Sequence, residues 1–157
     1  MGLMEQLTER IESRTPSLAV RAIQPTFNWE TAIGYLQHCA DNNVGEPIAI
    51  LEYKLPVADQ IDSITPVKEY LSENFKYEIQ GVDMYITFTT LNDISYTSAN
   101  DVLIWNVIGE SHLTIDDEER EVEAGDLIYV PKNKEYKYKS KSARVYIVFA
   151  LRREDDN

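Results

Sequence analysis

The hydrophobic pattern of this chain changes period along its length. Over residues 3–14, Leu3, Leu7 and Ile11 recur four apart, the spacing of one face of a short amphipathic helix. Thr15-Pro16 closes it, because a residue before proline avoids the helical region. Ser17–Ile23 follows as a strand or an extended lead-in, and Pro25 separates it from the next element. Asn28 suits the N-cap of a second helix over residues 29–41. Its apolar face holds Trp29, Ala32, Ile33, Leu36 and Ala40, and Phe27 is placed to staple against Ala32. The run Asp41-Asn42-Asn43-Val44-Gly45 tolerates left-handed backbone and ends that helix. Thr65-Pro66 repeats the cap-and-proline signal for a third helix to about Asn74, with Val67, Tyr70 and Leu71 inward.

Elsewhere the apolar residues come in short blocks. Pro47–Leu51 reads as a compact buried strand, residues 54–64 as irregular, and Met84–Thr90 as a strand rich in Tyr, Ile, Phe and Thr. Residues 91–100 read as a polar loop. Beyond it lie Val102–Ile108, Leu113–Ile115 and Val145–Leu151, with the run Gly125–Tyr136 between the last two. Blocks of this length, punctuated by glycine, proline and charged turns, predict antiparallel strands closing into a small barrel or sandwich. The expected layout is mainly β with N-terminal helices, in a single domain over 1–157. Its helix-rich lead-in, residues 1–80, packs outside a barrel core at 82–152, because the helices have too little apolar surface to stand alone. The charged tail Arg152–Asn157 is expected to fray.

Composition narrows the partners. Net charge is -12, from 27 acidic against 15 basic residues, which argues against a phosphate backbone or an anionic membrane surface. Lys132, Lys134, Lys137, Lys139 and Lys141 recur at close intervals, and read as the solvated face of a strand. Cys39 is the single cysteine, so no intramolecular disulfide forms, and its place beside Leu36 and Ala40 reads as a buried structural thiol. No stretch has the form of a secretory leader or approaches the ~20 apolar residues of a membrane span. The expected setting is a soluble, reducing cytoplasm.

The order strand, glycine, strand, acidic turn, Gly125-Asp126, strand, Pro131, aromatic strand resembles the cupin double-stranded β-helix, a jelly-roll barrel. More narrowly it resembles the JmjC-type branch of that superfamily. Phe27-Asn28-Trp29-Glu30 opening a helix and Glu46-Pro47-Ile48-Ala49-Ile50 fit the lead-in of such domains. The resemblance implies iron(II)- and 2-oxoglutarate-dependent chemistry on a His-x-Asp pair and a distal histidine. Carried over residue by residue, those positions hold Tyr96, Ser98 and, five residues after Pro131, Tyr136. The lysine that pairs with the cosubstrate carboxylate in relatives corresponds to Ser111. Two phenols and a hydroxyl thus replace the two imidazoles and carboxylate of the iron triad. The other cupin pattern, with His-x-His, a glutamate and a later histidine, also lacks its histidines. Of the two histidines, His112 is out of phase with inward Ser111 and Leu113, and His38 lies on the polar side of its helix. No metal and no cofactor is therefore expected.

What remains is a candidate pocket of Tyr96, Ser98, Asn106, Ser111, Tyr136 and Tyr138. It either binds a small molecule through hydroxyl and amide groups or is a core in which tyrosines fill the vacated centre. Tyr136 and Tyr138 alternate with Lys137 and Lys139, which places the rings inward in either case. Asp116-Asp117-Glu118-Glu119 lacks the spacing of a calcium loop and reads as a solvated hairpin tip. Asp126 reads as a turn former. The expected function is a non-catalytic cupin-like module for small-molecule binding or protein interaction, self-associating as a homodimer. The alternative is a metal-free isomerase or epimerase using Tyr or Asp as acid–base groups on a small polar substrate.

Overall fold

The structure, a computed structural model, describes residues 2–90 and 93–152. The expected frayed tail at 153–157 and the first two positions of the expected loop, Leu91 and Asn92, lie outside the described residues. Among the described residues there are three α-helices, α1 (Leu3–Glu12), α2 (Trp29–Asp41) and α3 (Thr65–Asn74), and a 3-10 turn at Ala58–Gln60. The strands are β1 (Ser17–Ala19), β2 (Glu46–Ala49), β3 (Glu52–Leu55), β4 (Glu78–Thr87), β5 (Asp93–Thr97), β6 (Asp101–Ile108), β7 (Ser111–Ile115), β8 (Glu118–Val122), β9 (Leu127–Val130), β10 (Glu135–Ser140) and β11 (Arg144–Arg152). They form a seven-stranded sheet in the order β1-β9-β6-β11-β4-β3-β2 and a four-stranded sheet in the order β5-β10-β7-β8. All pairings are antiparallel. Two such sheets face to face, with the chain crossing between them, make the jelly-roll barrel that the sequence led us to expect.

Each sheet has its own reason for its two faces. The large sheet is buried on both, so β6 and β11 are continuous apolar runs rather than alternating ones. One face carries Leu103, Trp105, Ile147 and Phe149 against the helices, in a core shared with Leu7, Ile11, Ala32, Cys39 and Leu71. The other looks into the barrel. The small sheet meets solvent outside, so β10 alternates exposed Lys137 and Lys139 with buried Tyr136 and Tyr138, and His112 lies on the lysine side opposite Lys139. Asp116 and Asp117, both at positive φ, make the two-residue tip of the β7–β8 hairpin.

Several local expectations are corrected. Helix α2 is capped by Asn28, which accepts from the Thr31 amide at 3.3 Å. Its buried stripe is Ala32, Tyr35 and Cys39, while Ile33 and Ala40 are exposed. The helix turns that way because the Tyr35 hydroxyl donates to the backbone carbonyls of Pro56 and Val57. In α3 the cap residue is Ile64, and Thr65 Oγ1 instead donates to Asp59 O at 2.7 Å. Tyr70 is exposed, and Leu3, in the first turn of α1, is too. The strand expected at Pro47–Leu51 is an edge strand followed by a turn, with Ile50 77% exposed. Proline has no N–H to offer a neighbour, which suits that edge. Glu52–Leu55, part of it read as irregular, is β3, with charged rather than apolar residues on its barrel face. β4 starts at Glu78, earlier than the apolar run suggests, and the polar loop expected at 91–100 contains β5.

The lead-in is laced onto the barrel. Ile23 N donates to Gly125 O at 3.1 Å, and Trp105 Nε1 donates to Ile23 O at 2.9 Å. Asp126, the turn former, accepts from Arg21 N at 2.9 Å through Oδ1 and from Glu123 N at 2.8 Å through Oδ2. The carboxylate thereby closes its own turn and fastens the segment after β1.

Candidate functional site

The barrel interior divides by strand. On β6, β7, β8 and β9 the inward residues are aliphatic: Val102, Ile104, Leu113, Ile115, Val122, Ile128 and Val130. On β4, β5, β10 and β11 they include five tyrosines, alongside Val148 and the polar Asp83, Thr87 and Arg144. Tyr96 of β5 and Tyr136 of β10 are direct cross-strand partners, and their rings stack at 5.4 Å. Tyr136 meets Tyr138 edge to face at 6.0 Å, Tyr138 stacks on Tyr146 at 5.2 Å, and Tyr146 stacks on Tyr85 at 4.9 Å. Tyr85 returns to Tyr96 edge to face at 6.2 Å, closing a ring of five. Offset and edge-on contacts at these separations are the favourable geometries of aromatic pairs.

A cation sits against this ring. Arg144, the first residue of β11, is 1% exposed. Its guanidinium carbon lies 4.2 Å from the Tyr138 centroid and 4.3 Å from that of Tyr146. Nη2 is 4.0 Å from Glu52 Oε1, which accepts the Tyr96 hydroxyl at 2.8 Å. Register explains the meeting: Arg144 and Glu52 both pair with Thr87, from either side of β4, so all three share the barrel face. The Nε and Nη1 atoms of Arg144 have no hydrogen-bond partner among the described residues.

Burial governs the phenols. It pushes Tyr136 up to about 12, with the Arg144 charge pulling the other way. Tyr138 and Tyr146 are raised further by the same cause, again opposed by Arg144. Tyr85 is raised by burial and by the neighbouring Tyr136. Tyr96 is raised by burial and by the Glu52 charge. All five phenols are therefore protonated at neutral pH, and that of Tyr96 donates to Glu52.

Of the six candidate residues, Tyr96, Tyr136 and Tyr138 come together in the ring. Ser98, one face-repeat beyond Tyr96, accepts from Asn100 N at 3.1 Å through Oγ, and its carbonyl accepts from Asn133 N at 2.7 Å. Asn106 pairs with Tyr146 across the sheet, but its Nδ2 donates to Gly109 O at 2.8 Å. Ser111 is opposite Ser140, four residues along β10 from Tyr136, or roughly 13 Å of strand. Its buried hydroxyl, the Asn106 Oδ1 and the Tyr138 hydroxyl have no hydrogen-bond partner among the described residues. Arg144, Glu52, Tyr85 and Tyr146 belong to the site and escaped the sequence reading. A signal existed: Arg144 has the phase of Tyr146 and Val148 in a strand buried on both faces.

Iron does not suit this donor set. Iron(II) in such barrels takes neutral imidazoles and a carboxylate on one face, whereas here two protonated phenols and a hydroxyl stand with a fixed guanidinium nearby. Among the described residues no group of three or more His, Cys, Asp and Glu side chains is arranged to hold a metal ion.

No protein-family model matches the chain. No curated protein matches it in sequence. Solved structures do match in shape. The ribosomal oxygenase YcfD of Escherichia coli, in complex with cobalt and 2-oxoglutarate, superposes with TM-score 0.74 at 10% identity, over 94% of this chain and 51% of that one. Its complex with cobalt and succinic acid gives 0.73 at 11%, over the same shares of the two chains. Salicylate 1,2-dioxygenase from Pseudoaminobacter salicylatoxidans, as gentisate adducts, gives 0.54 at 11%, over 79% of this chain and 32% of that one. The fold is thus a cupin-like double-stranded β-helix, a jelly-roll barrel. This chain spans about half the length of the ribosomal oxygenase.

Proposed function

We propose that this protein is a cupin-fold binding module without iron- and 2-oxoglutarate-dependent chemistry, and that it takes a small molecule at the tyrosine side of the barrel. The observation that supports this reading is the ring itself: five protonated phenols, two of them flanking a buried guanidinium, offer stacking surface and donors, with Tyr96 and Tyr136 at positions where the family resemblance implies metal ligands. Tyr96 is the least enclosed of the candidate rings and lies at the β5 rim, so entry is from that side. The test is a thermal-shift screen of small polar aromatics on wild type and Tyr136→Ala. A ligand whose shift survives the substitution unchanged rejects the site.

The same reading includes self-association. Phe88 N donates to Leu51 O at 2.9 Å, and the Phe88 ring stacks on Trp29 at 5.9 Å. Around this contact Ile33, Ile50, Leu51 and Phe88 are 48, 77, 50 and 38% exposed. An apolar patch spanning a helix and a sheet edge is a surface that association would cover. A homodimer is the expected species, and light scattering at tens of micromolar returning the 18.1 kDa monomer would reject it. A reducing cytoplasmic setting suits the buried free thiol of Cys39, and no helix among the described residues is long and apolar enough to cross a membrane.

The enzymatic alternative has one observation in its favour. Asp83, on the barrel face of β4 opposite Val148, has its carboxyl raised by burial, with Lys54 lowering it and Glu46 raising it. An isomerase or epimerase would use this group with a phenol. The raised phenols suit binding better than proton transfer near neutral pH, where a base must lose its proton readily.

A further inference from the structure

The least satisfied group in the barrel is Arg144. A guanidinium offers five N–H donors and stays charged, yet this one is 1% exposed with Nε and Nη1 lacking acceptors among the described residues. The rings of Tyr138 and Tyr146 cover its faces, which compensates the charge but not the in-plane donors. Glu52, the carboxylate beside it, stands 4.0 Å from Nη2, beyond hydrogen-bond length. The unpartnered hydroxyls of Tyr138 and Ser111 add two further donors on the inner face of the four-stranded sheet. Buried donors without acceptors are rare in folded proteins, and each needs a reason.

Resting on the binding reading above, we infer that the barrel ligand is a small acid with a single carboxylate, whose anionic group is held by Arg144. The carboxylate supplies the acceptors that Nε and Nη1 lack, while a flat body lies against the tyrosine rings. Selectivity follows from charge. Glu52 already places one carboxylate beside the guanidinium, so a first ligand carboxylate shares the cation and a second meets Glu52, while Lys54, two residues along β3, is already opposed by Asp83. Monoacids are favoured over dicarboxylates such as 2-oxoglutarate, and over neutral amides of the same shape.

The experiment titrates the 157-residue chain with formate and benzoate, their neutral counterparts formamide and benzamide, and terephthalate, against chloride at matched ionic strength. Tyrosine ring proton shifts and calorimetry are the readouts. The variants are Arg144→Met, which keeps length without charge, and Arg144→Lys. We expect benzoate to bind wild type at least tenfold tighter than benzamide or terephthalate, and to lose at least tenfold in Arg144→Met with partial recovery in Arg144→Lys. Ligand-free, the double variant Arg144→Met with Glu52→Gln, which removes both charges of the buried pair, should melt no lower than wild type, since replacing such a pair by neutral groups is often neutral or stabilising. Amide binding that depends on Tyr136 without any preference for the acid overturns the inference and leaves the binding reading standing. No shift with any probe, together with a lower melting temperature for that double variant, overturns both and makes the guanidinium a structural clamp.

Discussion

Arg144 and Glu52 face each other across one residue of β4, with Nη2 and Oε1 4.0 Å apart inside the barrel. Both side chains are nearly without solvent contact. The pair lies where the two sheets are joined, because Glu52 also accepts the Tyr96 hydroxyl and so ties β3 to β5. A carboxylate placed there serves two partners from one position.

Glu52→Gln separates those two roles. The amide oxygen still accepts from Tyr96, but the charge facing Arg144 is gone and a buried cation is left less compensated. The expected loss is roughly 1–3 kcal/mol, the range for removing one partner of a charged buried contact. Urea unfolding of Glu52→Gln and of Tyr96→Phe measures it. If the glutamine costs no more than the phenylalanine, the charge on Glu52 contributes nothing to the fold.

Metal content tests the donor set directly. Tyr96, Ser98 and Tyr136 present phenols and a hydroxyl, and burial holds the phenols protonated. After dialysis with iron, manganese or zinc and removal of excess, elemental analysis should return well below one metal per chain. A value near one, lost in Tyr136→Phe, would mean that these phenols ionise onto a metal after all.

Much of this architecture is legible in the amino-acid pattern, and the features that are not share a cause. β6 and β11 are plain, because a strand buried on both faces must be apolar throughout. The alternation Tyr136-Lys137-Tyr138-Lys139 reveals the phase of β10, since only one of its faces is solvated. Where polar residues point into the barrel the same logic inverts. Glu52 and Arg144 look like turn or surface residues from their neighbours, and only the tyrosines arriving from other strands make their burial tolerable. β5 is hidden for a related reason: its Ser95 and Thr97 face water, and only Ile94 and Tyr96 mark the inner face.

Gly109 is a position where one methyl group is decisive. Its φ is +86°, and a Cβ there would stand 2.3 Å from Ala143 O and 2.8 Å from Ser142 Oγ. The closer contact is with backbone, so no rotamer relieves it. Gly109→Ala should cost about 2–4 kcal/mol from left-handed strain and the displaced loop before Arg144. Denaturant melts check the loss, and stability within error of wild type would mean that the 141–143 turn shifts freely.

The caged tyrosines set the alkaline limit of the fold. Burial raises Tyr136 to about 12, and Tyr85, Tyr96, Tyr138 and Tyr146 are raised in the same direction. In the unfolded chain the same phenols ionise near their ordinary value of about 10. Below that pH both states keep the protons, and stability is unaffected. Above it the unfolded state releases protons that the folded state retains, so stability falls as pH rises from about 10 through the folded values. Several groups act together, which makes the fall steep. Absorbance at about 295 nm, where phenolate absorbs, should therefore show little ionisation of the ring near pH ~10. A single cooperative step should follow at higher pH, coinciding with loss of the β-sheet circular dichroism signal. Tyr85→Phe and Tyr146→Phe each remove one proton from that step and should move it to higher pH. Smooth titration of all the tyrosines near pH ~10 with the sheet intact would show instead that the ring is open to water and that the barrel centre is not a closed cage of phenols.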